Sequence, residues 1–228
     1  MRSGLDYDDA YELRQEMVER QLADRGIYRT DILEVFQDTP RHLFIPDFDL
    51  TEAYADHPLP IKAGQTISQP YIVALMIQYL EPALSHKILE IGSGSGYATA
   101  ILSKLCQHID ALEVYQALVE ASRETLKQLS IANVTLMHKS AWEQMNGATV
   151  YDRIILWASP PRIPSHIFDR LGEGGILVAP EGKRDQYVWI YKKNQGRLEQ
   201  TKKDAVRFVP LVSGSTQEID GTMRGYDE

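Results

Sequence analysis

The chain has 228 residues, 43% of them hydrophobic, which suits a single globular domain with at most a small appendage. Its net charge of −8 and pI near 5.3 argue against a broad electrostatic grip on nucleic acid. The single cysteine, Cys106, rules out an internal disulfide, and no run approaches the ~18 apolar residues that cross a membrane.

The first ten residues are acidic and polar, without an apolar signal region, so the expected location is the cytoplasm. No internal repeat or low-complexity block is present. Residues 8–25 carry Leu13, Met17, Val18 and Leu22 on one helical face, and Gly26 is a natural stop. A short helix is expected over 31–38, with Asp31 and Glu34 spaced as a capping box, and Pro40 ends it. Residues 41–67 lack a period but hold Leu43, Phe44, Ile45, Leu59 and Ile61, and so read as an ordered lead-in. Ser68 is expected to start the next helix, with Pro70 in its first turn, where a missing N–H costs nothing. That helix is apolar nearly all round (Ile72, Val73, Leu75, Met76, Tyr79, Leu80) and should be buried.

From Lys87 short apolar strands alternate with helices. Strands are expected at 87–91, 109–114, 134–138, 152–158, 175–180, 186–193 and 205–211, and helices at 97–106, 116–129 and 164–171. This predicts an α/β, Rossmann-like, seven-stranded and mostly parallel sheet with helices on both faces and an N-terminal helical cap. The expected organisation is a cap over 1–80 packed on the core as part of the same domain. A core over 81–216 and a polar tail over 217–228 follow. Cys106, within an apolar-periodic stretch, reads as a core residue.

The strand ending at Ile91 runs into Gly92-Ser93-Gly94-Ser95-Gly96 and then a helix. Glycines there permit positive φ and let backbone approach a ligand. The alternation G-x-G-x-G, with Glu90 two residues before it, lacks the extra gap of the dinucleotide fingerprint, and no Walker lysine follows. Glu113 ends the next strand about 20 residues on, where an acid can accept hydrogen bonds from ribose hydroxyls. Together these features point to a nucleoside without a pyrophosphate. Both acids also admit the plainer reading of strand-end residues.

At this point the segment resembles class I S-adenosylmethionine-dependent methyltransferases. That resemblance implies S-adenosyl-L-methionine as cofactor, Glu90 near its methionine ammonium and Glu113 on its ribose, with Gly92, Gly94 and Gly96 as the cradle. Three further stretches are similar to protein-L-isoaspartate O-methyltransferases: Ala53 to Ile61, Gly64 to Ala74, and Phe208-Val209-Pro210-Leu211. Gln21-Leu22, Arg25-Gly26-Ile27 and Pro40 to Pro46 resemble the same family, so the likeness runs from about residue 12 to 212. It implies methylation of the α-carboxylate of isoaspartyl residues in damaged proteins and peptides, the ester then closing to a succinimide. It also implies Ser68 as the active-site residue, Thr66, Ile67, Ser140 and Ala141 as cofactor contacts, and Tyr54, Pro60, Ile61 and Val212 as walls of a peptide cleft. For Ser68 the plain reading is a helix N-cap. The expected partners are isoaspartyl-containing proteins and peptides, with no nucleic acid, no membrane, no metal and a monomeric state.

A carboxylate is already an anion at neutral pH, so the chemistry asks for alignment rather than a strong base. The chain departs from the family pattern twice. Lys139-Ser140-Ala141 stands where Gly-Asp-Gly is usual, which removes a charge near the adenine unless Glu143 replaces it. Trp157-Ala158-Ser159-Pro160-Pro161-Arg162 stands where small residues are usual, and Ser-Pro-Pro partly resembles amino-group methyltransferases. Besides amino-group methylation, a dedicated peptide carboxyl methyltransferase and a cofactor-binding module without catalysis remain open as alternatives. The three tryptophans read as packing residues.

Overall fold

The computed structural model describes residues 4–143, 149–217 and 219. The central sheet has seven strands: β3 (Lys87–Ile91), β4 (His108–Glu113), β5 (Val134–His138), β6 (Tyr151–Leu156), β7 (Leu171–Glu181), β8 (Gln186–Asn194) and β9 (Arg197–Val206). Their spatial order is β5-β4-β3-β6-β7-β8-β9. The pairs β5–β4, β4–β3, β3–β6 and β6–β7 are parallel, and β7–β8 and β8–β9 antiparallel. The chain leaves β3 toward β4 and later returns to the other side of β3 as β6. This reversal opens a crevice at the carboxyl ends of the strands.

Strand β3 explains its own position. Ile88, Leu89, Glu90 and Ile91 are all buried, as a parallel strand covered on both faces requires. Ile88 packs in one core cluster with Met17, Leu22, Phe36, Phe44 and Met76, so the N-terminal segment and the sheet share one core. Leu89 and Ile91 pack on the other face with Leu156, Leu177, Ile163 and Ile167. Cys106 is buried in the first cluster, and its thiol is pushed up to about 12 by burial, which suits a core role.

The cap begins with α1 (Gly4–Glu16), which rewinds into a π-helical turn at Met17–Leu22 and a 3-10 turn at Ala23–Arg25. Gly26, at φ 92°, ends it as expected. Helix α2 spans Thr30–Asp38, but the capping box does not form. Arg29 is the N-cap, and Asp31 instead pairs with the Arg29 guanidinium and its neighbour's amide. A short α3 (Leu50–Ala53) is capped by Asp49, whose carboxylate accepts from the Glu52 amide. The lead-in closes with a small antiparallel pair, β1 (Leu59–Pro60) and β2 (Thr66–Ile67).

Helix α4 (Pro70–Leu80) starts two residues later than expected, with Gln69 rather than Ser68 as its N-cap. Helices α5 (Tyr97–Ser103), α6 (Gln116–Gln128) and α7 (Ser165–Phe168) follow β3, β4 and β6 in chain order. The last strand departs most from expectation. Residues 197–206, not 205–211, form β9, an edge strand exposed along nearly its whole length. It is entered by a tight turn with positive φ at Gln195 (51°) and Gly196 (71°), the geometry that joins twisted antiparallel strands. No helix among the described residues is long and apolar enough to cross a membrane. The expected polar tail lies outside the described residues, apart from Gln217 and Ile219.

Candidate active site

The glycine loop follows β3 directly. Gly92, Gly94 and Gly96 have φ of 80°, 56° and 85°, in the left-handed region where a side chain is strained. Gly96 is the most constrained, because a Cβ there would lie 2.9 Å from the Cβ of Ser122 on α6. It starts α5 and lets that helix lie against α6. Leu112 holds the loop's entry, its carbonyl accepting from the Gly92 amide (2.8 Å) and the Ser93 amide (3.1 Å).

The loop floors a cleft of about 810 Å3 open to solvent. Thr66, Ile67, Ser68, Gly92, Gly94, Glu113, Ser140, Ala141 and Val212 all line it, so five separate sequence stretches converge there. Glu113 ends β4 and is 4% exposed. One of its oxygens accepts from the Gly94 amide (2.8 Å), the other from the amides of Val114 (2.8 Å) and Tyr115 (3.0 Å). Burial holds its carboxyl above the usual range, the three donors offsetting only part of that push. Ser140 is 2% exposed, and its hydroxyl oxygen accepts from the Trp142 amide at 3.2 Å. Glu143 does not line the cleft. One of its carboxylate oxygens accepts from the amide and hydroxyl of Thr216, away from the cleft where it would have to replace the missing aspartate.

Glu90 also stays off the wall. It is fully buried, with one oxygen accepting from the Trp157 indole (2.8 Å) and the other from the Thr99 hydroxyl (2.6 Å). Burial pushes its carboxyl up to about 7, against the pull of those two donors. Both of its oxygens thus face Trp157 and Thr99 rather than the open cleft.

A second cleft, of about 1280 Å3, adjoins the first. The two share Thr66, Ser68, Trp157 and Val209. Pro58, Gln69, Ile72 and residues 205–208 complete it, with Arg207 as its one charged lining residue. Among the described residues the Ser68 hydroxyl makes no hydrogen bond, and the N-cap role falls to Gln69. Ser68 therefore presents a free hydroxyl where the clefts meet.

Four more expected contacts, besides Glu90, lie off both walls. Tyr54 is 2% exposed within the cap, its phenol paired with His42 (2.8 Å) and within 3.5 Å of Arg14. Pro60 pairs with Thr66 in the small hairpin, and Ile61 has its Cδ1 3.7 Å from where a Gly94 Cβ would sit. Gly96 acts through the start of α5 as described. Ser159 is likewise not a lining residue. Its amide donates to the Val209 carbonyl, its carbonyl accepts from the Leu211 amide, and its hydroxyl donates to the Gly182 carbonyl. It thus serves to hold neighbouring backbone, and it borders neither cleft.

Sequence reasoning missed Ser93, Tyr115 and Trp157 as wall residues, while the segment around Pro210–Val212, which the resemblance implied as part of the peptide cleft, lines the first cleft. Ser93 and Tyr115 adjoin recognised motif residues and were findable by position. Trp157 was not, since only the fold brings it across from the glycine loop. Among the described residues no group of three His, Cys, Asp or Glu side chains is placed to hold a metal.

The family model of protein-L-isoaspartate(D-aspartate) O-methyltransferase (PCMT) matches residues 12–216. A protein-L-isoaspartate O-methyltransferase of Pectobacterium carotovorum is 39% identical over 201 residues, 88% of this chain and 97% of that one. One from Vibrio cholerae is 39% identical over 193 residues, 85% and 93% of the two chains. Among solved structures, a Plasmodium falciparum chain assigned as such an enzyme, in complex with S-adenosyl-L-homocysteine, superposes with a TM-score of 0.76. It is 27% identical, and the match covers 87% of this chain and 98% of that one.

Proposed function

The chain belongs to the protein-L-isoaspartate(D-aspartate) O-methyltransferase family, and from that membership we propose how its own residues carry the reaction. The protein is an S-adenosyl-L-methionine-dependent methyltransferase acting on the α-carboxylate of L-isoaspartyl residues in damaged proteins and peptides. The ester closes to a succinimide, the route by which normal aspartate is regained.

The first cleft fits the cofactor. Gly92 and Gly94 put no side chain on its floor, and the Ser93 hydroxyl and Tyr97 phenol are buried beside it without hydrogen-bonding partners among the described residues. Bound there, S-adenosyl-L-methionine supplies a methyl group activated by a cationic sulfur. Glu113 keeps acceptor capacity for ribose hydroxyls beyond its three backbone bonds. Thr66, Ile67, Gly92, Gly94, Ser140 and Ala141 hold the remainder. Ser140 serves the adenine edge through a hydroxyl that still has a proton to donate.

Peptide acceptors occupy the second cleft, where Arg207 attracts the carboxylate-bearing chain and residues 205–209 form one edge, with Val212 farther along the same segment on the first cleft. Ser68 orients the carboxylate by hydrogen bonding. No base is required, since the nucleophile is ionised at pH 7. Holding oxygen, methyl carbon and sulfur in line supplies ~7–11 kcal/mol of the barrier. The single observation that carries this assignment is the unpartnered Ser68 hydroxyl at the junction of two clefts. In this reading the segment 1–80 is a cap that builds the acceptor side, and the protein works as a cytoplasmic monomer.

The test is methyl transfer from labelled S-adenosyl-L-methionine to one synthetic peptide in isoaspartyl and aspartyl versions. Labelling confined to the isoaspartyl peptide, and lost in Ser68→Ala while cofactor binding persists, is the expected result. Equal labelling of both peptides, or full activity in Ser68→Ala, overturns the assignment.

A further inference from the structure

Methyl transfer must occur where the two clefts meet, and four residues border both of them: Thr66, Ser68, Trp157 and Val209. Trp157 is the bulkiest of the four. It follows the end of β6, its amide donates to the Ile91 carbonyl (2.9 Å), and it is 7% exposed. Its indole is anchored at the far side by the 2.8 Å bond from Nε1 to Glu90. Glu90 is itself fixed by Thr99 at 2.6 Å and has no cation as a hydrogen-bonding partner. A buried carboxylate without a cationic partner is costly, so a position that keeps one repays it through what the carboxylate holds.

We propose that Trp157 is a specificity-determining residue of the acceptor cleft and that Glu90 is its positioning residue. The indole is the wall that limits how far an acceptor peptide advances toward the methyl donor. The face turned to the second cleft is apolar and rigid, lying with Ile72, Val206 and Phe208. A side chain flanking the isoaspartyl residue must share that volume with the indole. Small flanking residues therefore leave the carboxylate free to reach Ser68, and bulky ones hold it back. On the acceptor cleft Glu90 acts through Trp157. Without its acceptor the indole N–H is buried and unpaired, and the ring turns to find a partner.

This inference rests on the proposed reaction. The experiment measures kcat/KM for isoaspartyl peptides that differ only in the following residue, Gly, Ala, Leu or Phe. The proteins compared are the unmodified chain, Trp157→Ala, Trp157→Phe, Glu90→Ala and Glu90→Gln. The same peptides are titrated by calorimetry with S-adenosyl-L-homocysteine present, so that selectivity is also read as binding. The unmodified protein should favour the Gly peptide. In Trp157→Ala the Phe-to-Gly ratio should rise about tenfold, the scale at which a hydrophobic pocket discriminates by size. Trp157→Phe should fall between. Glu90→Ala should move the ratio in the same direction, and Glu90→Gln should keep it, because an amide oxygen still accepts the indole N–H.

An unchanged ratio in both Trp157 variants overturns the wall. A ratio moved equally by Glu90→Gln and Glu90→Ala overturns the positioning role. If either alanine variant fails to fold, Trp157→Phe and Glu90→Gln carry the same test. No labelling of any isoaspartyl peptide by the unmodified protein overturns the reaction itself, an outcome separate from labelling with an unmoved ratio.

Discussion

Glu90 offers a test that needs no substrate. Its carboxyl is fully buried and receives only two neutral donors, and burial pushes it from the ordinary 4.5 up to about 7. The folded state therefore holds a proton there between those values that the unfolded state has released. Stability from this group is greatest below about pH 4.5, declines as pH rises toward 7, and levels off above. A shift of this size amounts to about 3 kcal/mol in full, of which roughly 2 kcal/mol is lost between about pH 5.5 and about pH 8. Glu90→Gln removes the charge and keeps both hydrogen bonds. Its carbonyl accepts from Trp157, and its amide donates to Thr99, whose hydroxyl turns to accept. The assay is urea denaturation of both proteins at the two pH values, comparing extrapolated stabilities. The variant should gain about 2 kcal/mol on the parent between the lower and the higher pH. Parallel pH dependence in the two proteins would refute the reasoning, since it would mean that the buried carboxyl ionises as if it were in water.

Gly96→Ala should cost about 1–3 kcal/mol, because φ is 85° and the added Cβ meets Ser122 at 2.9 Å. A melting temperature within error of the parent would show that α6 can move back. Ser140→Asp should tighten S-adenosyl-L-methionine binding about tenfold by calorimetry, since a charged acceptor outperforms a hydroxyl. Unchanged affinity would show that no donor reaches that position. Trp142→Phe deletes the 2.8 Å bond from its indole to the Val212 carbonyl and should weaken cofactor binding about threefold. Equal affinities would show that Val212 is held by other contacts.

The parts of the fold that sequence patterning reached are those where burial and period coincide. The strands of 87–91 and 134–138 have the expected bounds, because an apolar run between turn signals ends where the chain leaves the sheet. Strand β9 was invisible to that criterion. Arg197 to Val206 is polar and exposed, and it pairs through backbone groups alone. Its signal was the turn Asn194-Gln195-Gly196-Arg197, not its hydrophobicity. Asp31 and Glu34 have capping-box spacing, yet Arg29 draws the Asp31 carboxylate away, and spacing alone does not report that competitor. Glu90 was legible as an acid before a glycine loop. Its partner Trp157 is 67 residues away in sequence, and only the pairing of β3 with β6 brings them together.

The segment Phe208-Val209-Pro210-Leu211 resembles the family in sequence, and its apolar run suggested a strand. It is instead a strap across the carboxyl ends of the sheet, and its function depends on that difference. A strand would turn alternate residues away from the site. Here residues 209–212 all line the first cleft, and 207–209 line the second. The backbone groups that a strand would pair sideways are satisfied by anchors from three directions. Ser159 bonds on either side of Pro210, and the Gln186 side chain accepts from the Phe208 amide (2.6 Å) and donates to its carbonyl (3.2 Å). Trp142 holds the Val212 carbonyl, and Glu143 holds Thr216. Ser159 lies in the Trp157–Arg162 stretch, and Trp142 directly follows Lys139-Ser140-Ala141, the two stretches read from the sequence as departures from the family pattern. Those departures are therefore joined through one element. The loop after β5 that lacks the aspartate, and the Trp157–Arg162 segment that lacks small residues, both fasten the strap that borders cofactor and acceptor alike. Substitutions in either stretch should thus change both affinities together, whereas substitutions at Ser68 should change only what happens to the acceptor.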